Sequence, residues 1–114
     1  MDKLDDKKTA MNQKKLDLIV AEHALWLADL LTGYQADFRW DDLRGLDFRR
    51  ASLREADFRW ADCREANFRE ADCREANFHE ADCREANFRE ADLRYAGIHG
   101  TNFFGTDVRG VILD

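Results

Sequence analysis

The chain of 114 residues carries 24 Asp and Glu against 18 Lys and Arg, a net charge of −6. That length suits one domain, and the excess of acid argues against a surface whose overall field draws nucleic acid directly. Pro is absent, and no apolar run approaches the roughly 18 residues of a membrane-spanning helix. The charged N-terminus lacks a signal-peptide core, so a cytoplasmic protein with no membrane partner is expected.

Residues 1–11 are polar and charged, the composition of a flexible tail. The stretch KKLDLIVAEHALWLADLLTG follows. Leu16, Ile19, Val20, His23, Trp26, Leu27, Leu30 and Leu31 fall on one helical face, and Gly33 supplies a stop. The pattern predicts a helix over 12–32, within a unit of 12–33. Leu18 and Leu25 fall on the opposite face beside Glu22 and Asp29, as ordinary exposed leucines or a small partner site.

Residues 34–114 are governed by a period of five. Between Ala51 and Asp92 the chain reads ASLRE ADFRW ADCRE ANFRE ADCRE ANFHE ADCRE ANFRE AD. On an α-helix each unit would advance about 140° past a full turn, so the large apolar residues would form no stripe. On a flat strand an odd repeat would send successive Phe and Cys to opposite faces. A bend once per unit resolves both conflicts. The first and third residues then share an inward face, and the others point out.

Four units per coil stack like on like. The inward columns become Phe38, Phe58, Phe78, Ile98; Leu43, Cys63, Cys83, Phe103; Phe48, Phe68, Phe88, Val108; and Leu53, Cys73, Leu93, Leu113. Two Phe columns face each other and smaller residues fill the other sides of a narrow square core. The three Cys are therefore expected as small core residues. No His is placed to complete a zinc site with them, and no cofactor is implied.

The first coil must expose unpaired backbone groups and a disc of core. The helix is expected to cap it, with Ile19, His23, Trp26, Leu27 and Leu30 lying over Phe38, Leu43 and Phe48. His23, central on the apolar face, suits a buried imidazole bonded to backbone of the first coil. Outward, each Arg has an acidic neighbour, as where Arg54, Arg74 and Arg94 run beside Glu55 and Glu75. A solvated ion-pair lattice is expected. Trp40 and Trp60 share an outward column, a residue type enriched at interfaces.

The C-terminal units change character. Gly100, Gly105 and Gly110 take the fifth position and are expected to loosen the corners. Phe104 and Ile112 fall where charged residues point outward. An end-to-end homodimer through Phe104, Val111, Ile112 and Leu113 is the simplest way to cover them; another protein is the alternative.

The units ADFRW, ADCRE, ANFRE and ADLRY resemble those of the pentapeptide-repeat family, whose pattern is A(D/N)(L/F)XX. The resemblance covers about Ala36 to Leu113. It implies an all-β solenoid, a right-handed quadrilateral β-helix of about four coils here, with the N-terminal helix as its cap. Asp41, Leu46, Thr101, Thr106 and Val111 depart from the pattern at the first position, and Gly97 and Ile112 at the second. The leader resembles that of phage-associated members through His23, Trp26 and Leu27, an H-x-x-W-L motif. Several members dimerise through their C-terminal coils.

Nothing points to catalysis. The single Ser, Ser52, sits inside a repeat unit with no base or orienting group, and no glycine-rich phosphate loop precedes a helix. A non-catalytic protein-interaction or structural scaffold module is expected. Its partners would be a second copy and an unidentified protein that meets Trp40, Trp60 and the ladder Asp42, Asp62, Asp82. The alternative comes from the resemblance: quinolone-resistance members are acidic dimeric rods that bind DNA gyrase in place of DNA, so this chain could be a DNA-mimic inhibitor or protector of gyrase or topoisomerase.

Overall fold

The computed structural model describes residues 10–29 and 32–114. Parallel β-bridges join the second residue of each unit to the second residue four units later. One wall carries Asp37↔Asp57, Asp57↔Asn77 and Asn77↔Gly97, and the other three carry the same ladder. The walls open at Ala36, Asp41, Leu46 and Ala51, and are called first to fourth below. The tube is thus four-sided, and Phe58 lies under Phe78 as the column argument requires.

Five N–H groups per unit need partners, and in a unit with a coil on either side and Asp or Asn at its second position all five find them. The third and fifth residues donate to the next coil: Phe58 to Asn77 O (2.6 Å) and Trp60 to His79 O (3.0 Å). The second residue donates back to the coil before it, as Asn77 does to Ala56 O (2.9 Å). The first residue closes the corner, Ala61 donating to Phe58 O (3.1 Å). The fourth residue donates to the side chain of the second, Arg64 to Asp62 Oδ1 (3.2 Å) and Arg69 to Asn67 Oδ1 (3.0 Å). That last bond explains why the second position is Asp or Asn, whose short side chains reach the backbone two residues on. The scheme also leaves no amide that Pro could replace without loss.

The corner has the form of a type II turn, with its fifth residue left-handed. Glu65, Glu70, Glu75 and Glu80 have φ of 60–61°, and Trp40 has 66°. A side chain at such φ costs roughly 1–2 kcal/mol, which the corner bond and the fifth N–H help to offset. Gly100, Gly105 and Gly110 adopt the same conformation, φ 72–75°. At these corners glycine avoids the strain that a side chain meets at such φ.

The core follows the expected columns through Leu93, but at their C-terminal ends Ile98, Val108 and Leu113 are exposed and Phe103 is only partly buried, because no further coil covers them. Phe38, Phe58 and Phe78 stack at 4.9 and 4.5 Å, and Phe48, Phe68 and Phe88 at 4.5 and 4.6 Å. The two columns meet edge to face at 5.6–5.8 Å, a favoured aromatic geometry. Leu43, Leu53 and the free thiols of Cys63, Cys73 and Cys83 complete the interior, all fully buried. Burial pushes the Cys63 and Cys73 thiols well above their ordinary range, which keeps them protonated.

Among the described residues one helix, α1 (Gln13–Asp29), precedes the tube. Asn12 caps it, its Oδ1 accepting the N–H of Lys15 (2.9 Å). The expected end at 32 cannot be followed, because Leu30 and Leu31 lie outside the described residues, as do residues 1–9 of the tail. Met11, within the tail as read from sequence, packs against the core. Gly33 turns the chain back along the helix at φ 73°; a Cβ there would run into the Glu22 carbonyl, so the position admits no other residue without displacement. Among the described residues no helix is long and apolar enough to cross a membrane.

Phe68 touches rings above, below and across. Truncation to Ala should cost about 3–5 kcal/mol, read as a lower urea midpoint; an unchanged midpoint would show that the Phe columns do not carry the core.

Candidate functional site

The outer walls are built by the same side chain that closes each unit. Asp at the second position accepts the fourth N–H and also receives the fourth side chain. Arg64 donates Nε and Nη2 to Asp62 at 2.8 and 2.6 Å, and Arg84 does the same to Asp82 at 2.9 and 2.6 Å. Asp42, Asp72 and Asp92 are held likewise by Arg44, Arg74 and Arg94. Asp62, Asp82 and Asp92 also lie near the Arg of the coil before, Arg44 to Asp62 at 3.8 Å, Arg64 to Asp82 at 3.9 Å and Arg74 to Asp92 at 3.9 Å. The guanidiniums hold these carboxyls below their ordinary range, Asp42 at about 2.

The ladder Asp42, Asp62, Asp82 is therefore a ladder of fork-paired charges. The pairing runs mainly within a unit, where the sequence had suggested pairing with Glu. Arg54 to Glu75 at 3.7 Å and Arg50 to Glu70 at 3.2 Å are the inter-coil Glu contacts. Three Arg-bearing units lack the fork: Ser52 offers Arg54 no carboxylate, and Asn67 and Asn87 accept the Arg69 and Arg89 backbone N–H but leave both Nε groups buried without a hydrogen bond. The expectation that each Arg has an acidic neighbour still holds for Arg69, whose Nε lies 3.5 Å from Glu70.

Trp40 and Trp60 are brought together. Their rings stack at 4.9 Å and 8°, with the Arg59 guanidinium 5.4 Å from the Trp60 ring. The left-handed corner throws both outward, and Trp40 is 73% exposed. Tyr95 occupies another corner in the same way, 85% exposed.

At the C-terminal end Phe104 points out from the second wall, 76% exposed, and Ile112 and Leu113 are also exposed. Val111 is different. It takes the first position, is half-buried and packs on the core, so it offers little to an outside surface. Thr101 and Thr106, where Ala is usual, donate hydroxyl bonds to Phe78 O and Cys83 O, both 2.7 Å.

Helix α1 lies over the first coil through polar contacts as well as apolar ones. Leu16 is fully buried, and Ile19 and Val20 pack against the core. His23 is fully buried, stacked on Trp26 at 5.5 Å. Its Nδ1 accepts the Ala36 N–H (2.9 Å) and its Nε2 donates to Arg54 O (2.7 Å), which fixes the neutral tautomer. Leu27 is half-buried, and Leu30 lies outside the described residues. Sequence reasoning missed Gln13. Its side-chain amide pairs with both backbone groups of Asp47, each at 2.8 Å, as a neighbouring strand would. A lone Gln beside a charged stretch gives no signal of that role.

The profile described as pentapeptide repeats matches residues 34–69 and 71–110, in 8 copies. No curated protein matches the sequence. Among solved structures, a pentapeptide repeat protein from the Arabidopsis thaliana thylakoid lumen is 31% identical, covering 67% of this chain and 60% of its own, with a TM-score of 0.47. One from the cyanobacterium Cyanothece is 20% identical over 75% of this chain and 69% of its own, TM-score 0.43. HetL, a pentapeptide repeat protein of Nostoc involved in heterocyst differentiation regulation, is 25% identical over 69% of this chain and 45% of its own, TM-score 0.31. The chain thus spans less than two thirds of the Arabidopsis and Nostoc proteins.

A proton on His23 Nδ1 would face the Ala36 N–H and remove that bond. Burial holds the imidazole pKa below its ordinary 6.5, so the unfolded chain takes up this proton at higher pH than the folded one. Stability should be full above pH 6.5 and fall as pH drops through that value. The paired carboxylates add their loss only below 3.8. Urea midpoints across pH should show the earlier step, and His23→Gln should remove it; a wild-type profile flat from 6.5 to 3.8 would contradict the assignment.

Proposed function

Because the chain belongs to the pentapeptide-repeat family, we propose that it is a non-catalytic interaction scaffold: a right-handed quadrilateral rod of about four coils, closed at its N-terminal end by helix α1. The single observation that carries this reading is where exposed aromatic surface remains. Asp and Arg side chains bind each other and the backbone, while Trp40, Trp60 and Phe104 face solvent. Stacked tryptophans on a rigid wall offer a large contact area that needs little further ordering, the property of interface anchors.

Two contacts follow. The Trp40–Trp60 corner meets a protein partner. The C-terminal end, through Phe104, Ile112 and Leu113, meets a second copy about a two-fold axis. Val111 serves this surface only from beneath, as core. The fork pairing of Asp42, Asp62 and Asp82 favours the scaffold over mimicry of DNA, since a mimic needs an anionic ladder whose field reaches a partner. The gyrase or topoisomerase reading stays as the alternative that a supercoiling assay decides.

Sedimentation velocity tests the second contact. The wild type should run as a dimer and Phe104→Asp as a monomer; a monomeric wild type, or a dimeric variant, would remove it. Capture of a partner by the wild type and its loss with Trp40→Ala plus Trp60→Ala would support the first. Inhibition of gyrase that disappears with Asp62→Arg plus Asp82→Arg would overturn the scaffold reading.

A further inference from the structure

Several departures from the repeat gather on one patch of the first wall. The fourth residue is Arg in almost every unit, yet the third and fourth coils of this wall carry His79 and His99 there. On the rung of His99 the second position, usually Asp or Asn, is Gly97, and the fifth is Gly100. The bridge Asn77↔Gly97 joins the two rungs directly.

The glycine makes room for the first imidazole. A Cβ at Gly97 would stand 3.1 Å from His79 Nε2 and 3.3 Å from its Cδ2, so the ring leans over space that an Asp side chain fills on other rungs. That brings its Nε2 edge down to the rung of His99. The two rings meet edge to face with centroids 5.9 Å apart. Among the described residues neither side chain makes a hydrogen bond or an ion pair. The contrast is His23, whose two nitrogens are both engaged by backbone. His99 is exposed and His79 half-buried, so solvent reaches the pair.

The charges around the pair favour a cation. Glu80 folds over Gly100, where a Cβ would fall 2.6 Å from its Oε1, and so lies beside the rung of His99. Arg59, the guanidinium above His79 in the same column, is held by Asp57 at 2.8 Å. The spacing also fits. A metal bonded to one nitrogen of each ring sits roughly 3 Å from either centroid, which holds the centroids about 4.5–6.5 Å apart. The observed separation falls inside that range.

We propose that His79 and His99 form a two-imidazole site for a divalent transition metal, with Cu2+ bound before Ni2+ or Zn2+. No group of three or more His, Cys, Asp or Glu among the described residues can hold an ion, so water completes the shell. The thiols of Cys63, Cys73 and Cys83 are fully buried and do not reach it. Zn2+ favours four ligands, or three with one water, and is short of protein donors here. Cu2+ stands highest in the divalent order and accepts a tetragonal set of nitrogen and water oxygen. Mg2+ and Ca2+ seek oxygen ligands and gain nothing from imidazole. Folding brings the two histidines together, so the ion binds the folded chain and clips the fourth coil to the third. This inference does not rest on the scaffold reading or on the Trp40–Trp60 surface.

The test is a calorimetric titration of the full chain with Cu2+ in a buffer that does not bind metal, with pulsed EPR of the bound ion. A single ion per chain should bind, and its spectrum should show a pair of imidazole nitrogens. His79→Gln and His99→Gln should each weaken binding about tenfold or more, because the second ligand is no longer tethered beside the first. Ni2+, which leaves thiols unoxidised, should raise the melting temperature of the wild type and leave both variants unmoved; Mg2+ should move none of them. Coordination by one imidazole only, undiminished affinity in either variant, or a Ni2+ shift that persists in His99→Gln would each overturn the proposal.

Discussion

Five amides in five residues must each find an acceptor while the chain turns a corner, and the rest of the structure depends on that demand. Three amides are answered by neighbouring coils, one by the turn and one by the side chain of Asp or Asn. The square section, the exclusion of Pro and the choice of the second residue follow from it. So does the strain at the corners, where Glu and Trp sit at left-handed φ. A ladder of such bonds on four walls holds a core only one side chain deep, and stacked Phe rings fill it.

The inward half of this design was legible in the sequence because it is written in side-chain size at fixed spacing. Phe at 58, 68, 78 and 88 with Cys at 63, 73 and 83 leaves one stacking register that keeps like above like, and the structure has it. The outward half was legible only in part. Arg at the fourth position has acid on both sides in sequence, and nothing in the string says which one it takes. The answer depends on the Asp side chain already bending toward the fourth N–H, which brings its second oxygen to the guanidinium. Once that is known, the Asn units become the exception they are. The corner conformation was also hidden, since Glu carries no preference for left-handed φ. The glycines at 100, 105 and 110 were the visible trace of it.

The two ends differ for a physical reason. At the N-terminal side Gln13 and His23 answer backbone groups of the first coil with side-chain atoms, in places where a further coil would have supplied them. His23 was recognisable from its central place on an apolar face; Gln13 was not, because one polar residue at a helix start usually means nothing. At the C-terminal side Phe104, Ile112 and Leu113 present apolar area to solvent. A scaffold of this kind works by shape and by the few side chains that its own repeat does not occupy.

Hydrogen exchange resolved to single amides over residues 56–90 tests the central claim most directly. The account predicts that the first, second, third and fifth amides of every unit are protected together and released only by global opening, with the fourth amide protected wherever Asp or Asn precedes it by two. Rapid exchange at the fifth-position amides of Glu65, Glu70 and Glu75, or protection without a five-residue pattern, would contradict it.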